Sequence, residues 1–315
     1  MRRLLADGAR VRVLDDMSRG DPRRLAGVLG DIELVAGDIR DASVVRQACQ
    51  GVEGVAHLAY VNGTEFFYSK PDVVLEVAVR GMLNVLAGCR EAGVDELLLA
   101  SSSEVYQTPP AVPTDETAPL VVPDPLNPRY SYGGGKIISE LMSLHIGGRH
   151  LERVVIARPH NVFGADMGWQ HVVPQFAVRL KQLAETVPTG PLRLPIQGTG
   201  RETRAFIHID DFTDALALVM RAGENRNVYH IGTMEETSIE TVAREVGRCF
   251  GRDVEVVPGE LQPGSPVRRC PDTAKLKSLG FEPRLTFREA LGPVVRWYDE
   301  HPEKGFPDHA ALQEG

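Results

Sequence analysis

The chain of 315 residues is poor in cysteine and tryptophan, with four and two of each. Cys49, Cys89, Cys249 and Cys270 form no CxxC pair and no zinc-type cluster. Scattered in this way they read as reduced, mostly packed thiols of a cytoplasmic protein. His145, His150, His208 and His230 show no metal-ligand spacing, so no metal is expected. No apolar run approaches the roughly 20 residues of a membrane span. Met1-Arg2-Arg3-Leu4-Leu5 begins like a secretory leader, but Asp7, Gly8 and Arg10 follow at once and leave no apolar core for one. Positive charge is not in excess either. Lys and Arg number 35 against 43 Asp and Glu, a net charge of -8. That balance argues against broad nucleic-acid or anionic-membrane binding, while leaving room for a local basic pocket for a phosphorylated small molecule. Internal repeats and low-complexity tracts are absent.

What is present is an ordinary globular mixture, 43% hydrophobic and 25% charged, long enough for about two domains. The first half alternates short apolar runs with helical patterns. The runs are Val11–Leu14, Ile32–Val35, Gly54–Ala59, Glu96–Ala100 and Val154–Ala157; several are apolar throughout, as suits strands buried on both faces of a parallel sheet. Helices are expected at Asp41–Gln50 and Pro71–Ala92, the latter with Val73, Val77, Gly81, Leu83, Val85 and Leu86 as its apolar face. Such alternation predicts an α/β fold with a Rossmann-like doubly wound parallel sheet. Past Gly164 loops lengthen and prolines crowd at 174, 188, 191 and 195. Helices recur at Asp210–Ala222, Ile239–Phe250 and Phe287–Tyr298. The expected division is a dinucleotide-binding domain at 1–163 with a return near 205–230, and a smaller mixed substrate domain at 164–204 and 231–315.

A dinucleotide fold opens with a strand, a Gly-rich turn and a helix whose N-terminus meets the pyrophosphate. The acidic residue that grips the adenosine ribose follows about 20 residues later. Asp15 is the natural acidic residue here, yet only Met1–Gly8, which reads as a helix tail with Gly8 beyond its end, lies ahead of the first strand. The expectation is that the first strand and phosphate loop are missing from this sequence, that the reading frame continues upstream for about 20 or more residues, and that these 315 residues alone bind NAD poorly.

Tyr132-Gly133-Gly134-Gly135-Lys136 is the strongest chemical signal. Tyr and Lys four apart share one helix face. A nearby ammonium lowers the pKa of a phenol, otherwise near 10, so that it can take a proton from a substrate hydroxyl. Three adjacent glycines in a helix cost about 1 kcal/mol each against Ala, which points to something packing closely there. Ser101-Ser102-Ser103-Glu104 follows a strand, where ligands sit in open α/β sheets; a Ser there can share the same substrate hydroxyl.

These stretches occur in order with Asp15-Asp16, Gly37-Asp38-Ile39, His57-Leu58-Ala59, Arg158-Pro159-His160-Asn161-Val162-Phe163-Gly164, Arg204-Ala205-Phe206 and Arg268-Arg269-Cys270-Pro271-Asp272. Together they resemble an extended short-chain dehydrogenase/reductase of the NAD-dependent epimerase/dehydratase family, acting on nucleotide sugars. The resemblance implies NAD as cofactor, with Asp15 and its neighbour Asp16 at the adenosine ribose, Asp38 and Ile39 flanking the adenine, Leu58 and Ala59 along the cofactor path, and His160 near the nicotinamide. It makes Ser102 and Tyr132 catalytic, Lys136 the partner of Tyr132 and a ribose ligand, and Asn161, His171, Val172 and Arg204 contacts of a nucleotide-diphosphate sugar, with Arg269 or Arg268 adding a second contact. Trp169 and Gln170 either touch the sugar or pack between domains. Ala78 stands where the resemblance expects Asn, Ala205 where it expects Asp, and Ser103-Glu104 where typical 4,6-dehydratases carry Asp-Glu. The expected activity is a nucleotide-sugar 4-epimerase working through a 4-keto sugar. The alternatives are a dehydratase or decarboxylase, in which Glu104 would be an acid/base, and a non-catalytic nucleotide-sugar-binding remnant. The expected assembly is a homodimer.

Overall fold

Leu97, Leu98 and Leu99 are all buried in the strand Glu96–Ala100, so that strand needs apolar cover on both faces. The computed structural model, which describes residues 1–61, 63–169, 171–261 and 264–301, shows how the cover is supplied. Glu96–Ala100 pairs in parallel with Gly54–His57 on one side and Arg153–Pro159 on the other, and Asn227–Ile231 pairs in parallel beyond the latter. Successive side chains alternate between faces. Leu97, Leu99, Val154 and Ile156 meet Val45 and Cys49 of the helix Ala42–Cys49 and Val85, Leu86 and Cys89 of the helix Met82–Ala92. Leu98, Val155 and Ala157 meet Ala215 and Val219 of the helix Ile209–Ala222, joined by Leu276 and Phe281. Val11–Asp15 and Ile32–Ala36 form a separate parallel pair. Among the described residues, neither Val11–Asp15 nor Gly54–His57 has a hydrogen-bonded strand on its other edge.

The expected helix Pro71–Ala92 forms in three parts: Pro71–Glu76, a π turn at Val77–Gly81, and Met82–Ala92. Its inner face differs from the expected one at Leu83, which is 46% exposed, while Ala78 and Met82 are buried. A π turn adds one residue and so rotates everything after it by roughly 100°. A single 3.6-residue period drawn through Val73 and Val77 therefore misplaces Leu83.

Past Gly164, the helices Val172–Thr186, Ile239–Cys249 and Phe287–Glu300 pack around a second core that includes Phe176, Leu180, Leu194, Val246, Leu291 and Val295. A capping box of Thr286 with Glu289 starts the last of these helices. Thr203–Ala205 runs between Glu236–Ser238 and Arg268–Arg269 in a three-stranded sheet that faces the first domain.

The domain core also holds a buried polar network. Arg158 donates to Glu140 through Nε and Nη2, at 2.9 and 2.6 Å, with side chains only 4% and 3% exposed. Ser101 Oγ donates to the same carboxylate, and Arg158 Nη1 donates to the Tyr106 hydroxyl oxygen. His230 must donate through Nδ1 to the carbonyl of Asp272 at 3.0 Å, so its Nε2 accepts from Tyr106 Oη at 2.6 Å. Burial holds His230 neutral by lowering its pKa. Removing one partner of such a pair strands a buried charge. Arg158→Met is expected to lower stability by about 3–5 kcal/mol in urea unfolding, and Arg158→Met combined with Glu140→Leu to recover much of that loss.

Candidate active site

The site is assembled where Glu96–Ala100 ends. Ser102 leaves the strand in extended backbone (φ -162°) and its Oγ accepts from the amide of Glu104 at 3.2 Å, capping a short turn at Ser103–Val105. The helix Ser131–His145 lies against this turn. Its approach explains two of the three glycines. A Cβ on Gly133 would stand 2.7 Å from Gln107 Nε2 and 2.9 Å from the Glu104 carbonyl, and one on Gly135 would stand 2.2 Å from Tyr60 Oη. Gly134 meets only Val122, at 3.5 Å, so close packing does not require it.

Tyr132 and Lys136 are both buried on the inner face of that helix. The Tyr132 ring lies between Phe67, stacked at 4.7 Å, and Tyr60, edge-on at 5.1 Å. Burial pushes the Tyr132 phenol up to about 12, with the Ser102 hydroxyl opposing the shift. Burial also pushes the Lys136 ammonium down to about 7, against the pull of Glu140. Lys136 Nζ donates to the Ala100 carbonyl at 2.7 Å. The two groups that the sequence paired are thus held at one point, beside Ser102, at the carboxyl end of the central strand.

Across the cleft, Arg204 and Arg269 are register partners on adjacent parallel strands. Arg269 Nη1 donates to Glu104 Oε1 at 2.7 Å. Burial would raise the pKa of Glu104, but Arg269, with Arg129 and Arg204, overrides it and holds the carboxyl below its usual range. Burial and the neighbouring Arg269 push Arg204 down to about 10. Arg269 Nη2 and Arg129 Nε are buried without a partner. Arg129, three residues ahead of Tyr132, and Tyr60 belong to this site although the sequence reading passed over both. The signal for Arg129 was its place on the turn Pro128–Tyr130 that leads into the helix Ser131–His145.

The remaining candidates fall as follows. His160 is 1% exposed, packs edge-on against His230 at 4.7 Å, and has both ring nitrogens unpartnered; burial keeps it neutral. Asn161 holds a left-handed backbone (φ 37°) and donates to the Ala205 carbonyl at 3.1 Å. His171 occupies the N-cap position of the helix Val172–Thr186 without a side-chain capping bond, and Val172 is the first residue of that helix. Trp169 lies on the loop just before; Gln170 lies outside the described residues. On the cofactor side, Asp15 ends its strand and accepts from the Met17 amide at 2.8 Å. A Cβ on Gly20 would come within 2.7 Å of its Oδ1, so only glycine lets the loop fold back over that carboxylate. Asp16 is exposed and turned to Ser18. Asp38 is engaged by Arg40, which lowers its pKa and also reaches Glu76 at 2.8 Å. The Ile39 side chain is buried against Gly81, so only its backbone is left to face a ligand. Leu58 is half exposed and Ala59 partly buried past the end of Gly54–His57. An acid at one strand end and an ammonium at another suit the two riboses of a dinucleotide. The two ring nitrogens of His160 are left as unused polar capacity beside His230.

The family model described as "NAD dependent epimerase/dehydratase family" matches residues 1–232. UDP-glucuronic acid decarboxylase 1 of Xenopus tropicalis is 29% identical over 301 residues, 94% of this chain and 68% of that protein. A trifunctional UDP-glucose 4,6-dehydratase/UDP-4-keto-6-deoxy-D-glucose 3,5-epimerase/UDP-4-keto-L-rhamnose-reductase of Arabidopsis thaliana is 27% identical over 87% of this chain, which spans 40% of the length of that relative. The structure of UDP-glucose 4-epimerase from Thermus thermophilus in complex with NAD superposes with a TM-score of 0.77 at 27% identity, covering 95% of this chain and 94% of that one.

The unpartnered guanidinium N–H groups beside Arg204 predict an anion site. Inorganic pyrophosphate titrated by calorimetry is expected to bind, and Arg269→Ala to weaken it by roughly tenfold to a hundredfold, the size of one or two hydrogen bonds to charged groups.

Proposed function

The chain belongs to the NAD-dependent epimerase/dehydratase family, and from that membership we propose that it is a nucleotide-sugar 4-epimerase. The observation that carries this reading is the charge of the sugar side. Three guanidiniums, Arg129, Arg204 and Arg269, lie around the Glu104 carboxylate, with Glu202 also acting on Arg204, and their net positive charge suits a sugar diphosphate diester. Loss of water from the sugar needs an acid for the departing hydroxyl. Ser103 stands at the position where typical 4,6-dehydratases carry Asp, and Glu104 is held ionised by Arg269.

Asp15 at one ribose and Lys136 at the other would hold NAD, which when bound would supply the hydride acceptor and donor. Tyr132 takes the proton of the sugar C4 hydroxyl, and Ser102 both donates to and accepts from the same oxygen. Lys136 keeps positive charge beside the phenolate as it forms. When the hydroxyl is remade the phenol returns the proton. Phe67 and Tyr60 flank the phenol and keep bulk water from it. Arg204 and Arg269 pair with the diphosphate and fix the sugar over Tyr132. A decarboxylase is the second reading. It is favoured by the partnerless Arg269 Nη2 and Arg129 Nε, two donors that a hexuronate carboxylate would satisfy.

Mass spectrometry separates these readings. An epimerase product keeps the mass of its substrate and NAD is not consumed. Loss of one water or one carbon dioxide would replace the epimerase reading with a lyase. Nucleotide-sugar binding without turnover would leave a binding remnant. Tyr132→Phe is expected to abolish turnover while sparing nucleotide-sugar binding, and Ser102→Ala to slow it by roughly 10²–10⁴-fold.

The same reading extends to a homodimer. Leu75, Val79 and Leu83 are exposed at four-residue intervals along Pro71–Ala92, beside exposed Ile138 and Leu141 of the catalytic helix. Two adjacent helices with an outward apolar stripe offer a self-complementary face for a second copy. Light scattering is expected to give a dimer, and Leu83→Glu with Leu141→Glu a monomer.

A further inference from the structure

The ammonium of Lys136 rests on an aromatic face. Its Nζ lies 3.8 Å from the centroid of the Tyr60 ring, against 5.9 Å from that of Tyr132. Tyr60 follows the strand Gly54–His57 by three residues and reaches across to the catalytic helix, where its hydroxyl donates to the Tyr132 carbonyl at 3.4 Å. Burial raises the pKa of its phenol, so the ring is neutral.

Room for this ring is made by two small residues. A Cβ at 135 would stand 2.2 Å from Tyr60 Oη and 2.8 Å from the Ala78 Cβ. Gly135 lies in the catalytic helix and Ala78 in the π turn Val77–Gly81, and both are buried. Tyr60, Ala78 and Gly135 therefore form one packing unit.

We propose that Tyr60 is a positioning residue for Lys136, its ring face holding the ammonium beside Tyr132 in the space that Gly135 and Ala78 leave open. An ammonium has three donors and no acceptor. The Ala100 carbonyl takes one, and the ring quadrupole attracts the charge without consuming a lone pair. The other groups that face or sense this ammonium are Tyr132 and Glu140 on its own helix and His57 on the strand before Tyr60; burial and the ammonium together push His57 down to about 3, so it is neutral. Among the described residues, Tyr60 joins Glu140, the Ala100 carbonyl and the more distant Tyr132 ring in stabilising the charged form. Its consequence for turnover rests on the epimerase reading above; its effect on Lys136 does not.

The test is the titration of Lys136, followed by NMR in protein labelled at lysine ¹³Cε, with Lys136→Met assigning the signal. Tyr60→Phe keeps the ring and is expected to leave the midpoint in place. Tyr60→Leu keeps apolar bulk without the ring, and Gly135→Ser displaces the ring. Both are expected to lower the midpoint by on the order of one pH unit, the size of a desolvated cation–π contact. If the chain turns over a nucleotide sugar, the alkaline limb of its pH–rate profile moves down with the midpoint in the same two variants. An unmoved midpoint in folded Tyr60→Leu, or a shift in Tyr60→Phe as large as in Tyr60→Leu, would overturn the proposal. The titration needs neither substrate nor turnover, so failure of the epimerase reading leaves it intact and separately decidable.

Discussion

Everything at the site depends on how closely the helix Ser131–His145 lies against the end of the strand Glu96–Ala100. Gly133 lets that helix press on the Glu104 carbonyl, and Lys136 then spans the gap to the Ala100 carbonyl. One turn further on, Glu140 receives Ser101 and Arg158, so the same helix is bolted to the same strand end and to the neighbouring strand. Short polar links at two levels of one helix leave it little freedom to slide. A proton-transfer pair needs that rigidity, because hydrogen-bond reach is lost within an ångström.

The two halves of the site differ in their electrostatics. Around Tyr132 and Lys136 burial dominates and both groups shift toward their neutral forms. Around Glu104 charge dominates and overrides burial. The first half is therefore suited to accept a charge that develops only during reaction, and the second to receive one that a ligand already carries. The sheet register sets this up: pairing Arg269 with Arg204 on parallel strands puts two guanidiniums side by side, which no isolated side chain would favour without an anion between or beside them.

Much of the fold was legible because the strands of its main sheet are apolar on both faces and several helices open on a capping side chain. Glu96–Ala100 has the limits expected of it, and Asp41 caps the helix expected to begin there. Tyr132 and Lys136 stood out as a pair because a helix brings residues four apart onto one face, and Ser102 because it follows a strand end. The errors have physical causes. Leu83 was misplaced because the π turn shifts the phase of the hydrophobic period part-way along the helix. Arg129 and Tyr60 went unnoticed because their roles arise only in three dimensions: Arg129 from charge brought together by a distant strand, and Tyr60 from a cavity left by Gly135 and Ala78.

The loop after Asp15 and the loop entering the second domain also meet, and this bears on how the halves of the site stay in register. Arg23 and Arg24 both bind Asp166, at 3.0 and 2.8 Å, and Asp166 holds a left-handed backbone (φ 56°) to receive them. Five residues later His171 occupies the N-cap position of the helix Val172–Thr186. Two arginines on one carboxylate, both themselves part exposed, contribute little to global stability. They tie the loop after Asp15 directly to the segment bearing His171 and Val172, bypassing the sheet. A ligand that spanned both loops would strengthen a contact already formed, and would pay less ordering entropy than if the loops moved independently.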